Sequence, residues 1–398
     1  MEALSISEKI LFFICGFGVL QGLILACLIF FHPKCERSVN IFLSFYILCT
    51  SLVISIPFYI KVIGWQNSYI IQPIPLLTGP LLYLYLRSFK ENITWRKVLP
   101  HLLLPALYMA FIYSNVFYYG HKYVGLKDVP AELLQKPRTI ILQFIKPAQQ
   151  IVYFFAARKV LLSYRRSINQ LFSETSRFDL NWARYLLYGF LILVLCFVLI
   201  FPLILRFPDK FDLLLLINMV IATPYIYIAT YKGMQQLTVW QIQPAINKTS
   251  VVHEMEEAKQ ALGKEGQKSI PVRVGLSRDK IEGLSRRITH LMEREKLFQE
   301  TELTLQQLAN KLQVPAYQVS QALNEGMGKN FYDLVNGYRV KEAKTLLLDS
   351  KNRNYTILSV GFEAGFNSKT TFNTVFKKFT GLTPTEFKNQ DKSALALV

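Results

Sequence analysis

Apolar positions first run in long blocks and then in stripes. Up to about Tyr231 the chain is a series of apolar stretches, at roughly 10–31, 39–63, 69–89, 98–118, 139–163, 183–205 and 211–231. Each is about 20 residues, the length a helix needs to cross a bilayer. Helices are the default there, because an open strand leaves backbone groups unsatisfied in lipid. Residues 1–231 are therefore predicted to form a seven-helix transmembrane bundle. Over 232–276 Gly, Lys, Glu and Gln become common. This stretch predicts a cytosolic linker with one short helix near Glu254–Lys259 and a flexible run at Gly263–Lys268. From Ser277 the pattern becomes helical: Ile281, Leu284, Ile288 and Leu291 recur at three and four residues. That helix is predicted to run to about Lys296.

Residues 303–388 carry two helix-turn-helix patterns, and the domain containing them is predicted over 277–390, with modules at 303–325 and 356–379. In the first, Thr304 and Gln307 form a capping-box pair. Leu305, Leu308, Ala309 and Leu312 line an inner face, and Gln313-Val314 make a short turn. Pro315 suits the first turn of the next helix, where Val319, Ala322 and Leu323 face inward. Tyr317, Gln318, Ser320 and Gln321 are left on the more exposed faces, near the helix start, where a recognition helix reaches bases. A long helix over about 330–348 follows, with Phe331, Leu334, Val335, Tyr338, Ala343, Leu346 and Leu347 as its stripe. The second module repeats the arrangement. Ile357 and Val360 turn inward over 356–364, Gly365 supplies the left-handed end, and Asn367 or Ser368 caps the next helix. Phe372, Val375, Phe376 and Phe379 form that helix's core face. Lys369, Thr370, Asn373 and Thr374 point elsewhere, and Lys377 and Lys378 are placed for phosphate contacts. The fold class predicted for the whole chain is all-α.

Composition supports the division. Hydrophobic residues make up 52% of the chain and charged residues 18%, which is not the balance of an ordinary soluble protein. Of the net charge of +18, about +11 falls in residues 1–231 and about +5 in 286–390. Most of the basic excess thus flanks the apolar spans, and the charge alone says little about nucleic acid. A DNA-reading unit must lie in the cytosol, so seven spans place the N-terminus outside. Loop charges agree: about twelve Lys and Arg fall on the predicted inner side and about seven on the outer side. The start, Met1-Glu2-Ala3 with Lys9 its single base before the first span, lacks the basic segment of a cleaved signal peptide. Cys15, Cys27, Cys35, Cys49 and Cys196 are odd in number, lie in or beside spans and lack metal-ligand spacing. They read as small packing residues.

Within the spans, prolines recur at Pro57, Pro73, Pro75, Pro80, Pro105, Pro147, Pro202 and Pro224. Each removes a helix hydrogen bond and invites a kink. Lys146 is the charge set well inside a span, and Gln143 and Gln150 share its helix face. Two placements stay open for it. It faces the bundle interior, as a candidate ligand-sensing site with the two glutamines, or it snorkels to the outer surface.

Gly365-Phe366-Asn367-Ser368, Phe372, Phe376-Lys377-Lys378 and Gly381-Leu382-Thr383-Pro384 closely resemble the signature of the AraC/XylS family. Arg339, Ala343 and Leu346-Leu347 of the long helix also stand at matching places. The resemblance covers about a quarter of the chain. It implies a bacterial protein with two major-groove readers about one DNA turn apart. It implies double-stranded DNA and RNA polymerase as partners and is compatible with a homodimer. Carried over by position, Tyr317, Ser320 and Gln321, then Lys369, Thr370, Asn373 and Thr374, are the base-reading candidates. Pro315 departs from the family's usual Ser-like cap, and Gly361 stands where Ala is usual, which by propensity weakens that helix by about 1 kcal/mol. The first recognition helix has no Arg, and Gln321 favours adenine.

The function these features predict is a transcription regulator held in a bacterial inner membrane, its spans sensing an unknown small-molecule or membrane stimulus. Two alternatives are a transporter-like bundle with an appended regulator, and a passive anchor with release by proteolysis. The low charge content of the spans disfavours ion transport. No metal-binding His pair, phosphate-binding glycine loop or nucleophile elbow occurs, so no catalytic or metal site and no cofactor is predicted.

Overall fold

The computed structural model describes residues 6–31, 37–56, 71–119, 136–175, 181–207, 210–236, 276–349 and 355–395. The described residues are helical with short connections, and one isolated antiparallel bridge joins Phe172 to Thr304. The chain divides into two compact units: Met1–Tyr164 with Leu180–Gln241, and Arg165–Asp179 with Ile242–Val398. The sequence pattern puts residues 165–179 with the spans; here they belong to the second unit. The linker predicted over 232–276, with its short helix, falls almost entirely outside the described residues.

The first unit contains α1 (Ile6–Phe30), α2 (Arg37–Ile54), α3 (Pro75–Ser88), α4 (Trp95–Tyr119), most of α5 (Pro137–Leu171), α6 (Asn181–Arg206) and α7 (Phe211–Gln236). α1 packs on α2 and α7, α2 on α3 and α7, α3 on α4, and α6 on α7. Where the sequence predicts seven spans, three described helices are long and apolar enough to cross a membrane: Trp95–Ser114, Pro137–Leu171 and Asn181–Arg206. For α3 the reason lies in length. α3 has 14 residues, about 21 Å at 1.5 Å per residue, against a hydrocarbon core of roughly 30 Å. Gly16–Phe30 of α1, Asn40–Ile54 of α2 and Val220–Ala229 of α7 are further, shorter apolar stretches among the described residues.

At most 33% of the apolar window of each long helix is covered by protein. Leu99, Leu103 and Leu107 of α4 and Ile192, Leu195, Leu199 and Leu203 of α6 stand exposed at helical spacing. Such stripes suit a hydrocarbon environment, since contiguous exposed apolar surface is uncommon on soluble monomers. Pro80, Pro100, Pro105, Pro147, Pro202 and Pro224 lie inside helices.

The second unit contains α8 (Arg278–Glu293), a 3₁₀ turn at Leu297–Gln299, α9 (Leu305–Leu312), α10 (Ala316–Gln321), α11 (Phe331–Leu348), α12 (Ile357–Glu363), α13 (Lys369–Thr380) and α14 (Pro384–Leu395). α10 runs on into a wider π turn at Ala322–Gly326. Two cores form around opposite ends of α11. Phe331, Leu334 and Val335 join α8, α9 and α10 in the first. Val340, Ala343 and Leu347 join α12 and α13 in the second, with Phe366, Phe372 and Phe376 fully buried. Burying each of those three rings contributes about 1.5–3 kcal/mol.

The stripes differ from their predicted register in two places. On α8 the C-terminal anchor is Met292, fully buried, while Leu291 is half-buried. On α13 Phe379 is 40% exposed and does not join the core, which closes with Phe376 stacked edge-on against Phe387 of α14.

Candidate DNA-binding interface

Each recognition helix is set by a local device written in the sequence. Thr304 caps α9: its hydroxyl accepts from the Gln307 N–H (3.2 Å), and the Thr304 N–H donates to Gln307 Oε1 (2.8 Å). Gln313 ends the helix in the left-handed region at φ 55°. Pro315 then stands at the N-cap of α10 rather than inside its first turn. Ala316, Val319, Ala322 and Leu323 are buried against the core. In the second module Thr356 caps α12 by accepting from the Ser359 N–H (3.1 Å). Ser368, rather than Asn367, caps α13 by accepting from the Thr371 N–H (3.1 Å).

Two glycines answer steric demands. Gly365, at φ +93°, is the left-handed residue between α12 and α13. A Cβ there falls 2.7 Å from the Phe298 carbonyl and 2.8 Å from the Gln299 Cα, so the two modules approach backbone to backbone at this point. Gly361 makes room for the core: a Cβ falls 2.7 Å from the Phe372 ring. The helix-weakening glycine at a family Ala position thus permits the Phe372 ring to approach α12 closely.

The polar face of α13 is open. Lys369, Thr370, Thr374 and Lys377 are exposed and Asn373 is half-buried. Lys378 is exposed but committed: its ammonium pairs with Asp333 at the start of α11 (2.7 Å) and lies over the Tyr332 ring at 5.0 Å. It ties α13 to α11, and its charge is partly neutralised.

The face of α10 is less free than its sequence suggests. Tyr317, Gln318 and Gln321 are half-buried. Ser320, predicted on an exposed face, is 7% exposed and accepts from Asn324 Nδ2 (3.4 Å). α8 packs on the π turn that extends α10. Gln321 accepts from the Leu276 N–H (3.3 Å) and donates to Glu325 (3.1 Å), so its amide is engaged on both sides. Gln318 Nε2 donates to the Tyr317 hydroxyl (3.2 Å).

Behind both modules lies a buried cation that the sequence shows only as a family-matched position. Arg339 of α11 is fully buried. Nε donates to the Phe298 carbonyl (2.8 Å), and Nη2 donates to the carbonyls of Glu300 (2.7 Å) and Thr301 (3.3 Å). The guanidinium lies 5.8 Å from the Phe366 ring centroid. Burial pulls its pKa down to about 10, against the charge of Glu174, which acts to raise it. It is still a cation at neutral pH, and its rigid fork of donors suits a site where carbonyls converge.

The three sensing candidates lie in the first unit. Lys146 on α5 is 6% exposed and faces inward rather than snorkelling. Its ammonium donates to Gln72 Oε1 (2.5 Å) and Gln143 Oε1 (3.0 Å), with the Tyr108 ring 5.4 Å away. Gln150 donates to the Pro75 carbonyl (3.0 Å) and to Thr78 Oγ1 (3.1 Å). Among the described residues no cluster of His, Cys, Asp and Glu is arranged to hold a metal ion.

A family match agrees with the helix-turn-helix geometry. Residues 308–390 match a family described as "Helix-turn-helix domain". A solved structure titled as a protein of unknown function from Listeria innocua is 28% identical, over 27% of this chain and 94% of its own, with a TM-score of 0.24. No curated protein matches the chain. The C-terminal part is an AraC-type helix-turn-helix domain, the DNA-binding domain of a transcription regulator. It stands in a chain whose N-terminal part contains three long apolar helices.

Proposed function

We propose that the protein is a sequence-specific DNA-binding transcription regulator held in a bacterial inner membrane, with its N-terminus outside and the helix-turn-helix domain in the cytoplasm. The observation that carries the reading is the joint presence of two modules on one shared helix, α11, and apolar helices whose exposed stripes suit lipid. Lys369, Thr370, Asn373 and Thr374 read bases from α13, and Lys377 contacts phosphate. Tyr317, Gln318 and Gln321 serve the first module, Gln321 only after release from Leu276 and Glu325. RNA polymerase is the machinery addressed, and a homodimer suits paired half-sites.

The spans sense as well as anchor. Lys146 is an amine enclosed among amides and an aromatic ring, and an ionisable residue inside a span is more often functional than mere packing. The experiment uses the intact protein in lipid nanodiscs with genomic DNA fragments. Affinity should fall steeply between low and physiological salt, because phosphate contacts release counterions. Lys377→Ala should weaken all sequences alike, whereas Asn373→Ala should lower discrimination at one base position by about 1–3 kcal/mol. Salt-independent affinity, or no binding at low salt, defeats the reading.

A further inference from the structure

The connection that follows α5 enters the core of the DNA-binding unit. Leu171 is 5% exposed and belongs to the first module's core, with Phe172 packed beside it. The Phe172–Thr304 bridge sets this segment antiparallel to the strand-like residues that lead into α9. Ser173 is fully buried. Its N–H donates to the Leu303 carbonyl (3.3 Å), and its hydroxyl donates to the same carbonyl (2.6 Å). Asn336 Nδ2 of α11 donates to the Ser173 carbonyl (2.9 Å), and Arg339 Nη2 reaches the Ser173 hydroxyl (3.4 Å). Glu174 is 6% exposed, and the Thr371 hydroxyl in the first turn of α13 donates to its Oε1 (3.3 Å). A carboxylate beside the first turn of a helix is favoured by the dipole.

Three consecutive residues thus touch the entrance of the first module, the shared helix and the recognition helix of the second. A solvated inter-span loop does not bury a Ser and a Glu against partners more than 120 residues away. The side chains that receive it, Asn336 and Arg339, are themselves fully buried. An empty cleft leaves Asn336 and the Arg339 cation with fewer acceptors in an apolar core.

We propose that residues 171–174 are an intrachain strut for which the cleft between the two modules is built, and that this strut fixes the spacing of the two recognition helices. Because it continues without a break from α5, the helix that carries Lys146, it is the route by which a change in α5 reaches DNA binding. This consequence rests on the DNA-binding function proposed above; the strut itself does not.

The test uses the full chain in native membranes and in nanodiscs. The N–H bond from Ser173 to Leu303 makes Phe172 and Thr304 the closer, non-hydrogen-bonded kind of antiparallel pair, with Cα atoms about 4.5 Å apart. Phe172→Cys with Thr304→Cys, in a chain whose native cysteines are replaced by Ala, should form a disulfide on mild oxidation. Absence of the cross-link in the folded protein overturns the proposal. Ser173→Ala with Glu174→Ala should speed amide exchange at Leu303–Leu305 and in the first turn of α13 at least tenfold. The same variant should weaken binding to a two-half-site fragment at least tenfold. Unchanged exchange and affinity also overturn it. If the wild-type chain binds no DNA while the cross-link and exchange changes occur, the regulator reading fails and the strut stands.

Discussion

At the scale of single residues, the sequence patterns held where one local interaction decides the outcome. Thr304 with Gln307, Ser368 and Gly365 do what their residue types and spacing predict, because a cap or a left-handed turn needs only its neighbours. Gln321 and Lys378 departed from their predicted freedom, because what engages them comes from beyond their own helices: the Leu276 N–H and Asp333. Gly361 separates the two kinds of argument. By propensity, Gly361→Ala gains about 1 kcal/mol in α12. The added methyl, however, meets a fully buried ring at 2.7 Å, and overpacking a core costs about 1–3 kcal/mol. The substitution should therefore lower the stability of the domain by roughly 1 kcal/mol in denaturant unfolding. A stabilised variant shows that Phe372 shifts freely and that the close approach does not matter.

At the scale of elements, α11 and α13 carry the interface. α11 is legible from its stripe because one helix feeds two cores, and apolar positions run almost its whole length. The strut at 171–174 is not legible: no periodicity, cap or motif in Phe172-Ser173-Glu174 announces a partner on α11 or α13. Its contacts are set by tertiary pairing alone. α13 depends on Ser368 for its first turn, where helix start and recognition surface coincide. Ser368→Ala should cost about 1 kcal/mol, the usual loss for an N-cap hydroxyl, and should fray the turn that holds Lys369 and Thr370. Thermal unfolding and DNA binding should fall together. A stable domain with full affinity shows that Thr371 and its bond to Glu174 hold the turn without the cap. Acid should loosen α14 in the same manner. The Thr383 N–H donates to Glu386 (2.7 Å), and that bond holds the Glu386 carboxyl below its ordinary range. Its contribution is present above that range and is lost as pH falls through the lowered value.

At the scale of the whole molecule, the two halves of the chain make opposite use of apolar residues. The DNA-binding unit hides them in two cores, whereas α4, α5 and α6 keep theirs outward. The apolar runs in the sequence show where helices form but not how many cross. A run of 20 apolar residues looks the same whether it becomes one long helix or, as at α3, a shorter one. Lys146 links this scale to function. Its inward position predicts that Lys146→Ala changes a reporter gene's response to the inducing stimulus while protein level and membrane insertion stay constant; a normal response assigns the residue to packing. The crossing pattern has its own test. Residues 165–175 belong to the DNA-binding unit, so the proposed function requires the connection after α5 to share that unit's compartment, the cytoplasm. α5, at 35 residues, is long enough to cross the membrane, and a crossing there predicts the segment before it to lie outside. A reporter active only outside the membrane should work when fused at residue 128 and fail at residue 170, in agreement with the charge bias of the loops. Activity at both sites, or the reverse pattern, removes the membrane crossing by α5 and with it the path from Lys146 through the strut to the recognition helices.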